Sequence, residues 1–406
     1  MPAVTLSEIQ EARVRLGHHV YVTPCPSTDH FVGEVGCRTL YMKLENLQRT
    51  GSFKERGALN RMLVLSEEER RRGIIAASAG NHAQGVAFHA GRLGLDSLIV
   101  MPLRTPLIKV SSTRSFGAKV LLHGENFDEA YAEAKRLQAE QNRVFIHPFN
   151  DPYVIAGQGT IGLELFEQVP DLELVLVPVG GGGLASGIAC ALKSLNPAIR
   201  VVGVQAEKIS SMKASLEAGR VVELPPGNTL ADGVAVRRPG TETFSLMQQY
   251  IDAIVTVDEA EIANAILRLL EQDKTVVEGA GALPLAALLN GKVPEARVKN
   301  TALVLSGGNI DVNLLSRIIE RGLVKDGRLM RLTVMMPDRP GALAGFVGVI
   351  AEQGANVMEI HHNRAFLKGP LAEAQVKVTL ETRGSEHIAE LLTTLGARGW
   401  VVAPDL

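Results

Sequence analysis

Aromatic residues are scarce in this sequence, at 4% of 406 residues with a single tryptophan, and cysteine is scarcer still, at three. Cys25, Cys37 and Cys190 follow no metal-ligand spacing, and an odd number cannot all pair. They read as reduced thiols, which excludes a disulfide-stapled secreted scaffold and points to a cytoplasmic protein. An excess of either charge is also missing: 42 Lys and Arg stand against 44 Asp and Glu, for a formal net charge of −2. That balance leaves no basic footprint for nucleic acid and no polybasic patch for a membrane surface. No apolar run has the length of a bilayer span. The N-terminal residues show no basic segment ahead of an apolar block, so no secretory signal is expected.

What is present is a high apolar fraction, 46%, with 40 glycines. Few aromatics with much Ala, Val, Leu and Gly suits helices and strands joined by tight turns. At 406 residues the chain is too long for one core, and two or three domains are expected. Short apolar runs at 40–45, 74–77, 98–101, 119–122, 144–147, 174–179, 201–204, 254–257 and 301–305 read as buried strands. Helical stretches alternate with them: 7–16 with Ser7 as candidate N-cap, one opening near Lys54, one behind the Ser66/Glu69 capping box, 126–141, one from Leu184, and one after Asp258. Apolar strands alternating with helices predict an α/β protein with parallel sheets covered on both faces.

Four stretches carry the chemistry. Thr50-Gly51-Ser52-Phe53-Lys54-Glu55-Arg56-Gly57-Ala58 sets one lysine among small and aromatic neighbours. A lysine becomes a nucleophile when burial or a nearby cation strips its proton. Ser78-Ala79-Gly80-Asn81-His82-Ala83 follows a strand directly, as do Gly180-Gly181-Gly182-Gly183 and Ser306-Gly307-Gly308-Asn309. Ligands of such sheets bind beyond the strands' carboxyl ends, where these turns fall. A tetraglycine between strand and helix lets backbone amides approach a phosphate. A dinucleotide turn or a bare tight turn would use the same residues. The contiguous glycines match Gly-x-Gly-x-x-Gly poorly, and no Gly-Lys-Ser/Thr follows, so one monoester phosphate fits better.

Together the four stretches resemble the β-family (fold type II) of pyridoxal-phosphate enzymes, and within it the threonine dehydratases, over the first three-quarters of the chain. The resemblance implies two open, mostly parallel α/β sheets in a catalytic domain over 1–325, a smaller subdomain, roughly 46–148, being inserted in the larger. It implies that Lys54 holds the cofactor as a Schiff base. It also implies that Gly180, Gly181, Gly182, Gly183 and Leu184 cradle the phosphate, that Asn81 meets the ring hydroxyl and that the Ser306 hydroxyl faces the ring nitrogen. Ser78, Ala79, Gly80, Asn81 and His82 would hold the substrate carboxylate, His82 through its backbone amide and not as a base. Phe53, Gly233 and Glu278 would line the same pocket, although Phe53 reads equally well as core. The reaction implied is loss of water, then ammonia, from a β-hydroxy amino acid, L-threonine and also L-serine, giving a 2-oxo acid.

Two departures refine this expectation. Serine racemases carry a second serine where this chain has Ala79, which favours elimination over racemisation. Racemases and some dehydratases bind a divalent cation through an acid where this chain has Gln205, so no metal is expected. The alternatives weighed are a serine racemase or 3-hydroxyaspartate dehydratase, a nicotinamide-dependent oxidoreductase, and a non-catalytic amino-acid sensor.

Past a polar stretch at 322–328 the pattern changes. A strand at 331–336, a helix at 341–353, strands at 355–361 and 372–382, a helix at 385–397 and a strand at 400–403 give the ferredoxin-like order β-α-β-β-α-β. With Asp338-Arg339-Pro340-Gly341-Ala342-Leu343 and Gly354-Ala355-Asn356-Val357 in place, residues 330–406 resemble an ACT domain. Such domains pair and often bind an amino-acid effector, which implies a homo-dimer or homo-tetramer.

Overall fold

The computed structural model describes residues 4–364 and 372–405. The chain divides into two compact units, Met1–Ile310 and Asp311–Leu406.

The first unit holds two sheets. The larger has six strands in the order Ser27–Thr28, Thr39–Lys43, Asn300–Val304, Leu174–Pro178, Arg200–Ala206 and Ala253–Val257, parallel except for the first pair. The smaller has four parallel strands, Lys119–Leu122, Ser97–Met101, Ile74–Ala77 and Val144–Phe145. Central strands such as Ile74–Ala77 and Leu174–Pro178 are buried along their whole length, as their unbroken apolar runs require.

Three helices stack close together behind the lysine stretch: Lys54–Leu63, Pro152–Gln168 and Gly183–Leu195. Their crossings are made by glycines. A Cβ on Gly157 would lie 2.7 Å from the Gly57 Cα, and one on Gly187 would lie 2.7 Å from the Gly159 amide nitrogen. Backbone therefore packs on backbone, and no larger residue fits.

A buried ionic cluster locks these elements in register. Arg56 donates to both oxygens of Glu45 at 2.8 Å and to Glu164 at 2.5 and 2.9 Å. Lys43, at the end of its strand, donates to Glu164 at 2.5 Å, to the Thr23 carbonyl at 2.7 Å and to Gln168 at 2.8 Å. Burial alone would raise the Glu45 pKa, but Arg56 and Lys43 hold it below the usual carboxylate range.

The second unit is a four-stranded antiparallel sheet, ordered Asn356–Asn363, Glu373–Glu381, Leu329–Pro337 and Val402–Asp405. Helices Ala342–Glu352 and Ser385–Ala397 complete a β-α-β-β-α-β order. Along Leu329–Pro337 the buried residues Met330, Leu332, Val334 and Met336 alternate with outward ones, so one face only meets the core.

One local expectation is corrected, and the compact units divide at Ile310/Asp311. Residues as far as Lys325 are helical (Val312–Lys325), capped by the Asp311 carboxylate, which accepts from the Asn313 amide at 2.7 Å. The first helix, Leu6–Leu16, is capped by Thr5 and not by Ser7, because Glu8 returns a hydrogen bond to the Thr5 amide at 2.7 Å.

Replacing Arg56 by Met leaves Glu45 and Glu164 buried with their main cation gone. We expect a loss of about 3–5 kcal/mol, read from urea unfolding, well beyond what the volume change alone would cause.

Candidate active site

Lys54 opens its helix at the end of a loop stitched to a distant turn. The Phe53 amide donates to the Ser306 carbonyl at 3.1 Å, and the Gly308 amide to the Gly51 carbonyl at 2.9 Å. Ser52 and Gly307 form a single antiparallel bridge. Gly51 has φ +73°, and a Cβ there would lie 2.5 Å from Asn309 Oδ1, so glycine is required twice over.

Lys54 is half-buried, and its amine is the part withdrawn from solvent. Its Nζ donates to the Pro148 carbonyl at 2.9 Å and lies 5.1 Å from the centre of the Phe53 ring. Burial pushes its pKa down from 10.5 to about 8, with Glu278 opposing the shift. A place in the first helical turn acts in the same direction as burial, because the positive end of the helix dipole disfavours an ammonium.

Asn81 begins the helix Asn81–Leu93, which has no side-chain cap. The first amides of that helix therefore remain available to an anion, and the Ser78 hydroxyl accepts from the Gly80 amide at 3.2 Å to shape the turn. Asn81 Nδ2 donates to Glu278 Oε1 at 2.7 Å, and Asn309 Nδ2 donates to Asn81 Oδ1 at 2.8 Å. Burial, then the nearby charge of Asp232, pushes the Glu278 pKa up to about 7. Gly233, next to Asp232, borders the same carboxyl: a Cβ there would be 3.3 Å from Glu278 Oε1. His82 is buried and its Nε2 donates to the Ile146 carbonyl at 2.8 Å. Burial and the charge of Lys54 push its pKa down to about 3, so it stays neutral and supports the turn.

The tetraglycine ends at the helix Gly183–Leu195, whose N-cap, Gly182, has φ +97° and no side-chain hydrogen bond. None of the four positions has room for a side chain. A Cβ would lie 3.0 Å from Val234 Cα at Gly180, 2.4 Å from Phe149 Cγ at Gly181, 2.6 Å from Met212 Cε at Gly182 and 2.9 Å from Phe149 Cβ at Gly183. Thr243 Oγ1 donates to the Gly181 carbonyl at 2.6 Å, leaving the loop's amides free to face a ligand.

The segment Pro148–Phe149 joins the two halves of the site, since Pro148 receives Lys54 and Phe149 packs on Gly181 and Gly183. The structure thus collects Lys54, Asn81, Gly233, Glu278, the tetraglycine and the Ser306 turn around one centre. Phe53 and Leu184 lie in the hydrophobic core cluster beside it. Sequence reasoning missed Pro148, Phe149, Asp232 and the function of Asn309, although Asn309 ends a stretch already singled out. Gln205 is buried in structural bonds, accepting from the Lys213 amide at 2.9 Å and donating to the Val179 carbonyl at 3.2 Å.

The family model described as pyridoxal-phosphate dependent enzyme matches residues 16–307. The chain belongs to this family. It is 51% identical over 399 residues to an L-threonine ammonia-lyase of Thermotoga maritima, spanning 98% of this chain and 99% of that protein. Among solved structures it is similar to the processed form of threonine deaminase isoform 2 from Solanum lycopersicum. There the TM-score is 0.73 and the identity 38%, over 79% of this chain and 95% of that one. It is also similar to maize serine racemase, with TM-score 0.75 and 34% identity, over 80% of this chain and 99% of that one.

The site fits the family's cofactor. A buried amine of reduced proton affinity would hold its aldehyde. An uncapped helix start behind four side-chain-free residues would hold its phosphate.

Two outcomes are expected. Borohydride reduction of the pyridoxal-phosphate-bound protein, followed by peptide mass spectrometry, places the label on Lys54 and on no other lysine. Gly181→Ala drives a methyl into the Phe149 ring and weakens cofactor retention at least tenfold; adding Phe149→Ala restores part of it.

Proposed function

We propose that this chain is an L-threonine ammonia-lyase, converting L-threonine to 2-oxobutanoate and ammonia and acting also on L-serine. The observation that carries the reading is the buried Lys54 amine, within one unit covering the phosphate cradle and the Asn81 turn. Bound pyridoxal phosphate supplies the electron sink for the pair left on the substrate α-carbon.

The rest is the work of this chain's own residues. Lys54 Nζ, once released, takes the α-proton. With a pKa of about 8, roughly a tenth of the amine is free at pH 7, against about one part in three thousand at the unperturbed 10.5. The amides of 78–82 orient the substrate carboxylate through the open end of the Asn81 helix. Gly180–Leu184 would hold the phosphate, Asn81 the ring oxygen, and Ser306 the ring nitrogen through a neutral hydroxyl. A neutral hydroxyl there, in place of an acid, would leave that nitrogen less charged and would favour prompt loss of the β-hydroxyl. Ala79 has no hydroxyl to return a proton to the opposite face, so racemisation is disfavoured.

The first unit carries catalysis in this reading, and the second is an ACT-type module that pairs between copies and binds an amino-acid effector. Among the described residues no helix is long and apolar enough to cross a membrane; a cytoplasmic homo-dimer or homo-tetramer is the assembly proposed.

The deciding experiment is a 2-oxo-acid and ammonia assay on L-threonine and L-serine, with chiral analysis of residual serine, repeated with added isoleucine and valine. Equal yields of 2-oxobutanoate and ammonia from threonine are expected, abolished in Lys54→Ala. Accumulation of D-serine without 2-oxo acid would overturn the assignment in favour of a racemase.

A further inference from the structure

We infer that Asn309 is a positioning residue that dictates which atom of the Asn81 amide faces the cofactor. The inference rests on the function proposed above and adds a residue to it. It follows from a hydrogen-bond chain whose polarity is set at one end by the backbone. The Thr50 carbonyl can only accept. The Asn309 atom 2.7 Å from it is therefore the nitrogen, Nδ2. That nitrogen has one hydrogen left, and 2.8 Å away is an Asn81 atom, which must then be the oxygen. The other Asn81 atom is consequently Nδ2, and it donates to Glu278 Oε1 at 2.7 Å.

Reversing Asn81 would set nitrogen against nitrogen at Asn309 and oxygen against oxygen at Glu278. Both contacts are part-buried, where such mismatches are costly. The chain is closely fitted as well. The Glu278 amide donates to the Gly307 carbonyl at 3.0 Å, and a Cβ on Gly307 would lie 2.6 Å from Glu278 Oε1 and 3.2 Å from Asn81 Nδ2. Glycine at 307 is what lets the carboxyl reach the amide.

The consequence is chemical. Asn81 Nδ2 has two hydrogens and Glu278 takes one. The other is the donor Asn81 offers to a ring oxygen, and a donor there favours the deprotonated oxygen. A carbonyl in its place would repel it. Asn309 acts through Asn81, with Thr50 tying the arrangement to the loop that carries Lys54.

The test uses the full-length holoenzyme and the variants Asn309→Asp and Asn309→Ser. Asn309→Asp nearly preserves shape but cannot donate to either partner when ionised; Asn309→Ser keeps one donor. The primary readout is the visible absorption of bound pyridoxal phosphate against pH without substrate, followed by kcat, KM and cofactor retention. For Asn309→Asp we expect the pH midpoint of the visible band to rise by about one unit. We also expect kcat to fall about tenfold or more with KM for threonine within about threefold, since the lost interaction lies at the ring. Asn309→Ser falls between this and the parent, and decides the matter by the same readout if Asn309→Asp does not fold. Parent-like spectra at every pH, with losses confined to thermal stability, would make Asn309 a structural brace and overturn the inference. A parent protein that shows no visible band and no borohydride adduct at Lys54 would remove the functional reading itself, and this inference with it.

Discussion

Two cations and two carboxylates sealed from water govern the geometry of the catalytic unit. Arg56, Glu45, Glu164 and Lys43 are each buried, and each is paired at hydrogen-bond distance. They come from four places: a strand end, the short turn after it, the helix bearing Lys54, and the long helix Pro152–Gln168. Successive helical residues are about 100° apart, so Arg56 points some 200° away from Lys54. Arg56 grips the scaffold behind the helix while Lys54 reaches into the site in front of it. An apolar contact would allow the helix to slide or turn slightly at little cost. Arg56, clamped by two carboxylates with each guanidinium nitrogen engaged, does not. Such clusters add little net stability against a well-packed apolar alternative. What this one supplies is a fixed angle and depth for an amine that has to meet a small target.

The glycine crossings complete that anchoring. Gly57, one residue beyond Arg56, lies against Gly157, and Gly159 lies against Gly187 in the tetraglycine helix. Two helices touching at their backbones have almost no freedom to shift, because no side chain can rearrange to absorb the movement. The lysine and the tetraglycine turn are thereby referenced to one rigid element, the helix between them. Pro148–Phe149 provides a second link on the ligand side, one residue receiving the amine and the next setting the glycine loop. Lys54 and Gly182 are 128 residues apart in sequence, yet their separation is fixed from behind and in front.

This explains what could be read from the sequence and what could not. Strands such as Ile74–Ala77 and Leu174–Pro178 were legible because burial on both faces demands an unbroken apolar run. The ferredoxin-like order of the second unit was legible because strands with one solvated face alternate. The stretches holding Lys54, Asn81, the tetraglycine and Ser306 stand out in the sequence because the composition of each suits a strand-end turn. The helix Pro152–Gln168 was not. Gly157, Gly159 and Gly162 argue locally against a helix, and their reason for being there is two other helices. The ionic cluster was equally hidden, since Arg56 and Glu164 are 108 residues apart and nothing in either neighbourhood announces the other. Asn309 was visible as a residue but not as a partner, because its role exists only once Thr50 and Asn81 flank it. The helix Val312–Lys325 is hidden in the sequence because Gly322 resembles the start of a linker, whereas its carbonyl accepts from the Asp326 amide within the last turn.

The electrostatic design follows from keeping side-chain charge low where a ligand brings its own. The Lys54 amine and the Glu278 carboxyl are both withdrawn from solvent, which moves each toward its neutral form, one down to about 8 and the other up to about 7. The two are coupled: an ionised Glu278 would hold the proton on Lys54, so the rise at Glu278 assists the fall at Lys54. Asp232 feeds this coupling by raising Glu278 from outside, while its own charge is met by Lys109 at 2.7 Å. In the proposed reading the anions of the ligand would be left to backbone amides at two uncapped helix starts, Gly183–Leu195 and Asn81–Leu93. Fixed dipoles suit that task. They attract a phosphate or carboxylate without adding a titratable group that would disturb the amine, and they need no reorganisation when the ligand arrives. The unusual glycine content at these starts is therefore an electrostatic requirement as much as a steric one, because any side chain there would either fill the approach or cap the very amides the ligand needs.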